Sequence, residues 1–231
     1  MVAEVLPLMK GEATHRKLRI LCLHGYHGSA DILRRQMEPL ISQLPPLAEF
    51  VFANAPSLAR KDFGWWHARQ PPFGGSIASA DQIPDVRYEG WEETRAWTLS
   101  TFSGQALDGI FGFSQGAALA GLLVGLRSSG NEVTPERPLQ FQFAMLAGGF
   151  ISNDPAHAVY YASEGFNMPS LHMIGDRDGV VSPSASQALA ARFKDPVVIQ
   201  HELGHVIASD SQSVEKVSAF LEGAINARIR A

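Results

Sequence analysis

The sequence predicts an α/β fold with a mostly parallel central sheet and helices on both of its faces. Three observations carry that expectation. Short apolar runs rich in Val, Ile, Leu and Phe recur along the chain, and each is followed by a segment of helical period. The runs end at turn residues such as His24-Gly25 and Gly175-Asp176 rather than continuing as helices. The 231 residues are 45% hydrophobic and only 18% charged, which supplies a core and excludes a disordered chain.

The elements follow in order. Leu18 to Leu23 reads as a buried strand. Ala30 to Leu44 reads as a helix, because Ile32, Leu33, Met37, Leu40, Ile41 and Leu44 recur at helical spacing, and Pro45-Pro46 is expected to end it. Phe50 to Ala53 is a second strand. Ser57 to Gly90 keeps no period; it is rich in Gly and Pro and holds Trp65, Trp66 and Phe73. A long irregular segment inside a compact domain is usually functional, so residues 57–90 are read as a lid-like insertion over one end of the sheet.

Trp91 to Phe102 resumes as a helix. A strand (Leu107 to Gly112), a helix (Ser114 to Arg127) and a strand (Phe141 to Ala147) come next. Ser170 to Gly175 and Pro196 to His201 are the last strands, separated by a helix from Pro183 to Phe193 with Ser182 at its N-cap. The closing helix is expected to start at Ser209 and Gln212, which have capping-box spacing, and carries Val214, Val217, Leu221 and Ile225 down one face. Nothing marks a domain boundary. Residues 1–231 are read as one domain, with 1–17 as an N-terminal extension.

Composition narrows the function classes. Nineteen Lys and Arg against 23 Asp and Glu give a net charge of -4, without the basic footprint of a nucleic-acid binder. No apolar stretch is long enough for a signal peptide or a membrane span, so a cytoplasmic protein is expected. The single cysteine, Cys22, excludes an intramolecular disulfide and suits a reducing compartment.

Gly112-Phe113-Ser114-Gln115-Gly116 fits G-x-S-x-G. The pentapeptide alone is weak, but an apolar strand runs into it and an Ala/Leu-rich helix runs out, as a strained nucleophile turn requires. The tight turn needs small residues at Gly112 and Gly116. It also sets the serine at a helix N-terminus, where free N–H groups stabilise an oxyanion. A serine needs a base to act at neutral pH. Downstream, the acid lies in Gly175 to Val181 and the base candidate is His205, each just past a predicted strand. Asp178 is preferred to Asp176 because Gly179 and the turn would let it swing towards the histidine. Asp176 is then a turn residue bonding nearby backbone N–H groups. A second oxyanion donor is sought in the loop Leu23 to Gly28, and the backbone N–H groups of Tyr26 and Gln115 are assigned the role. His24 and His27 precede the serine, which disfavours them as bases, and His24 reads as a structural residue of the loop.

His201-Glu202-Leu203-Gly204-His205 also matches H-E-x-x-H. A zinc peptidase needs both histidines on one helix face. Pro196 to His201 reads as a strand and Gly204 weakens a helix, so no metal is assigned. His172 is expected to be packed; His15, His67 and His157 are expected to be solvated. Trp65, Trp66, Phe73 and Trp91 either pack the insertion or line an acyl pocket.

These residues together resemble the fungal and animal serine hydrolase family often called FSH, which includes the ovarian-cancer-associated gene 2 product. The resemblance runs from Leu18 to about Ile207. It rests on Leu21 to Tyr26, the aromatics from Phe63 to Trp66, Tyr88-Glu89-Gly90, Asp108 to Ala117, Asp176 to Val181 and Gly204-His205. It implies an α/β-hydrolase fold without a large cap and a triad of Ser114, Asp178 and His205. It also implies a cofactor-independent esterase or thioesterase acting on a small acyl substrate, with some members resembling enzymes that release polyketides from an acyl carrier. His27, Gly28 and Ser182 depart from the family's pattern, and they bear on substrate choice. The rival classes are a non-hydrolytic small-molecule binder on the same fold and the zinc peptidase.

Overall fold

The computed structural model describes residues 16–60, 64–69, 86–128, 139, 141–161 and 165–230. Six strands form one sheet in the order β2-β1-β5-β6-β7-β8. They are β1 (Leu18–Leu23), β2 (Ala48–Ala53), β5 (Gly109–Phe113), β6 (Phe143–Ala147), β7 (Ser170–Gly175) and β8 (Val197–His201). Every pairing is parallel. Residues 57–90 contribute a 3₁₀ turn (Pro56–Arg60) and an antiparallel pair, β3 (His67–Arg69) with β4 (Arg87–Glu89).

Alternation along the strands sorts the core into two layers, because successive side chains point to opposite faces. Ile20, Cys22, Phe111 and Met145 pack with Leu33 and Met37 of α1 (Ala30–Ile41) and Val217 and Leu221 of α5 (Ser211–Arg230). Leu21, Leu23, Ile110 and Leu146 pack against the other side. There they meet Trp91 of α2 (Trp91–Phe102), Leu119 and Leu123 of α3 (Gln115–Ser128) and Leu189 of α4 (Pro183–Ala190).

Several element ends differ from the expectation. Helix α1 stops at Ile41, before Pro45-Pro46, and tolerates Pro39 in its last turn. Helix α4 stops at Ala190, three residues short of Phe193. The cap of α5 is Asp210, not Ser209: its carboxylate accepts from the Ser213 N–H (3.0 Å) and from the Ser213 hydroxyl (2.6 Å). Residues just inside strand ends also shift, so that β5 starts at Gly109 and β6 at Phe143.

The chain lays β2 on one side of β1 and then returns to place β5 on the other. The loops leaving β1 and β5 therefore part at the carboxyl edge of the sheet. Such a switch point is where open α/β sheets form their binding crevice. Residues 24–28 and Ser114 occupy it.

Candidate active site

The strand β5 delivers the chain into a turn too tight for side chains. A Cβ on Gly116 would stand 2.1 Å from the Leu23 carbonyl oxygen, and one on Gly112 would stand 2.3 Å from the Gly116 carbonyl oxygen. Ser114 takes a left-handed backbone, φ 56°, a conformation rare for any residue but glycine. Its N–H donates to the Ala147 carbonyl of β6 (2.9 Å), which pins the strained residue to the neighbouring strand. Its carbonyl accepts from Ala117 and Ala118, the first bonds of α3. Gln115 is the first residue of that helix, so its N–H has no intrahelical acceptor and sits at the positive end of the helix dipole.

The loop after β1 lies against the serine. A Cβ on Gly25 would be 3.2 Å from Ser114 Cβ. Residues 25–28 form a turn closed by Gly28 N–H on the Gly25 carbonyl (3.0 Å), with Tyr26 and His27 at its tip. His24 braces this loop from beneath, as expected of a structural residue. Its Nδ1 bonds the Gly25 carbonyl (2.8 Å), and its Nε2 accepts from the Ala55 N–H (3.1 Å). The ring is fully buried, and burial lowers its pKa against the raising effect of the Gly25 carbonyl, so it stays neutral.

Strands β7 and β8 bring the acid and base together. Asp178 Oδ2 lies 2.6 Å from His205 Nδ1. Asp178 Oδ1 accepts from the N–H groups of Val180 and Val181, at 2.8 Å each. Burial pushes the carboxyl up, but the His205 hydrogen bond and the two backbone N–H groups outweigh it and hold the pKa below the ordinary value. The group is thus a carboxylate, which selects the tautomer of the imidazole with the proton on Nδ1 and the lone pair on Nε2. Asp176 is exposed and takes the Gln200 amide (2.6 Å) instead. The expectation of which aspartate binds turn N–H groups is therefore reversed: Asp178 does so, and that grip aims its second oxygen at the imidazole.

The His205 ring sits over the same spot as the elbow. It packs on Phe113, centroids 4.8 Å apart. It also covers Gly148, the residue after the carbonyl that holds Ser114: a Cβ there would be 2.8 Å from His205 Cε1.

Trp65 and Trp66 pack into the core and also line a small cleft of about 240 Å³ with Pro56, Gly64 and Gly90. They are 1% and 2% exposed. Trp65 stacks on His24 and donates its indole N–H to the His24 carbonyl (2.7 Å). Phe73 and His15 lie outside the described residues. His157, expected to be solvated, is buried among Trp91, Tyr88 and Tyr160 and bonds Ser152 (2.7 Å). His172 is buried as expected. His201 closes β8 and His205 follows in a loop, so H-E-x-x-H has no helix on which to set two ligands.

One contribution escaped the sequence reading. The Gln115 side chain is buried beside the serine and clamps the insertion: its Oε1 accepts from Trp65 N–H and its Nε2 donates to the Trp66 carbonyl, each at 2.9 Å. A polar residue next to the elbow serine was the sole signal available.

A parallel sheet of this order, with a left-handed serine in the turn after β5 and a carboxylate-bound histidine past β8, defines an α/β-hydrolase. Residues 13–217 match the family described as serine hydrolase (FSH1), and the chain belongs to that family. It is 30% identical to Esterase OVCA2 of Xenopus tropicalis, over 92% of this chain and 95% of that one. It is also 30% identical to Esterase OVCA2 of Homo sapiens, over 91% and 98%. In fold it is similar to the crystal structure of Zea mays acyl-protein thioesterase 2, with a TM-score of 0.60, 20% identity and coverage of 94% and 97%. Among the described residues no helix is long and apolar enough to cross a membrane.

Proposed function

We propose that the chain hydrolyses carboxylic esters or thioesters through an acyl-enzyme on Ser114. The observation that carries this reading is the 2.6 Å contact between His205 Nδ1 and Asp178, which leaves Nε2 as a base beside the elbow. Nε2 takes the Ser114 proton as Oγ attacks the carbonyl carbon. The resulting oxyanion is held by the N–H groups of Tyr26 and Gln115. The imidazolium returns its proton to the departing alcohol or thiol. Water, deprotonated by the same nitrogen, then attacks the acyl-enzyme and releases the acid.

Asp178 keeps the imidazole in the useful tautomer and steadies its charge. No cofactor has a step in this scheme. The insertion braces the site through Gln115 and Trp65. Thioesters fit the same chemistry, so the reading extends to an acyl chain, such as a polyketide, borne on a carrier. A panel of p-nitrophenyl acyl esters and acyl-thioesters, assayed with wild type and Ser114→Ala, tests it. Turnover by wild type and none by the variant is expected; equal turnover by both would end it.

A further inference from the structure

A cleft of about 530 Å³ opens at Val180 and Val181, the two residues whose N–H groups hold the Asp178 carboxylate, and its size falls within the roughly 300–1,000 Å³ of small-molecule sites. One wall is Phe150 and Ile151, in the loop after β6. The other is Val180 and Val181, in the loop after β7. Ala185 and Ala188 of α4 form the floor, and Asn153 and Ser182 complete the lining. None of these eight described residues carries a charge.

Both walls spring from residues that touch the candidate catalytic groups. Val180 and Val181 hold the Asp178 carboxylate with their N–H groups, so their side chains cannot retreat without disturbing it. Phe150 follows Gly148 and Gly149. Gly148 lies under the His205 ring, and a Cβ on Gly149 would be 3.0 Å from Ala117 Cβ, in the first turn of α3 just after Ser114. Ser186 donates its hydroxyl to the Gly149 carbonyl (2.8 Å), fixing the floor helix to the Phe150 loop. Val180 is 73% exposed, an apolar side chain left in water at the mouth of a catalytic centre.

We propose that this cleft receives a straight apolar chain of the ester substrate, on its acyl or its alcohol side. The proposal takes the word substrate from the hydrolase reading above. Small alanines on the floor admit a chain lengthwise, and valine, isoleucine and phenylalanine walls desolvate it. Asn153 and Ser182 are the two polar side chains in this lining, so a charged group would find no opposite charge there.

Two alanines allow the cleft to be filled without removing any contact. Binding of decanoate and of 1-decanol to Ser114→Ala protein is measured by calorimetry, alone and combined with Ala188→Leu or Ala185→Leu. In the Ser114-containing protein, the kcat/KM ratio of p-nitrophenyl decanoate to acetate reads the acyl side. The ratio of decyl acetate to ethyl acetate reads the alcohol side. The expected result is at least tenfold weaker binding of one probe and a tenfold fall in the matching ratio. The chain that responds identifies the side. Absent binding of both probes, or binding that neither leucine alters, would overturn the proposal. Leucine-sensitive binding in a protein without any ester turnover would overturn the hydrolase reading and keep the cleft as a site for apolar chains.

Discussion

Asp178 and His205, 27 residues apart, meet at 2.6 Å through the one carboxylate oxygen not bound to backbone N–H groups. The acid is thus oriented by its own loop before it orients the base. Asp178→Asn would keep the backbone contacts through its carbonyl oxygen. Its amide would face Nδ1 as a donor and force the proton onto Nε2. Activity should fall on the order of 10³-fold or more with little change in thermal midpoint. Ester kinetics with a melting curve check this; near-wild-type turnover would remove Asp178 from the mechanism.

Gly148 is the position where the backbone makes room for the base. Its φ is +55°, and a Cβ would meet the His205 ring at 2.8 Å. Gly148→Ala should cost about 1–2 kcal/mol from the left-handed backbone and should displace the imidazole. A ten- to hundredfold loss of kcat/KM is expected, larger than the stability loss alone explains. Denaturant unfolding beside steady-state rates separates the two effects.

Gln115 ties the elbow to the insertion. Gln115→Ala would leave the Trp65 N–H and the Trp66 carbonyl buried without partners, a cost of about 2–4 kcal/mol. Gln115→Glu keeps an acceptor for Trp65 but buries a charge against the Trp66 carbonyl, so it should be no better. Urea midpoints measure both. Stability unchanged in both variants would show that the clamp contributes nothing.

Buried histidines set the acid side of the stability profile. Burial lowers the pKa of His172 from an ordinary 6.5 to about 4, and it also lowers those of His24, His157 and His201. Between those two values the unfolded chain binds protons that the folded His172 refuses, so stability falls as pH drops from 6.5 towards 4. Below about 4 this contribution levels off. Asp178 adds a separate loss below the ordinary carboxylate value of 3.8, because its folded pKa is depressed. His172→Phe should flatten the 6.5-to-4 slope, by on the order of 3 kcal/mol. Unfolding free energies at pH 7, 5.5 and 4 test the slope; a parallel shift of the two curves would contradict it.

The elbow was legible because its causes are local. Gly112 and Gly116 are demanded by contacts within a few residues and with the adjacent strand β1, and the run of strand, serine and helix is contiguous. The approach of Asp178 to His205 was legible because parallel strands end at one edge, so residues just past β7 and β8 are neighbours whatever lies between. What escaped depends on distant partners. His157 sits in a polar-looking stretch, yet Trp91 and Tyr88 cover it. The tryptophans of the insertion read equally as packing residues or as pocket walls, because the partners that bury Trp65, His24 and Gln115, lie far from it in sequence. Asp210 took the cap from Ser209 through a one-residue choice that capping chemistry alone leaves open.

The central claim is that Ser114 is a nucleophile activated by His205. The most direct measurement is covalent capture by a fluorophosphonate probe, followed by peptide mass spectrometry, in wild type, Ser114→Ala and His205→Ala. The account predicts modification of Ser114 in wild type, none in Ser114→Ala, and labelling slowed on the order of 10³-fold or more in His205→Ala. Labelling absent from folded wild-type protein, or equally fast without His205, would contradict it.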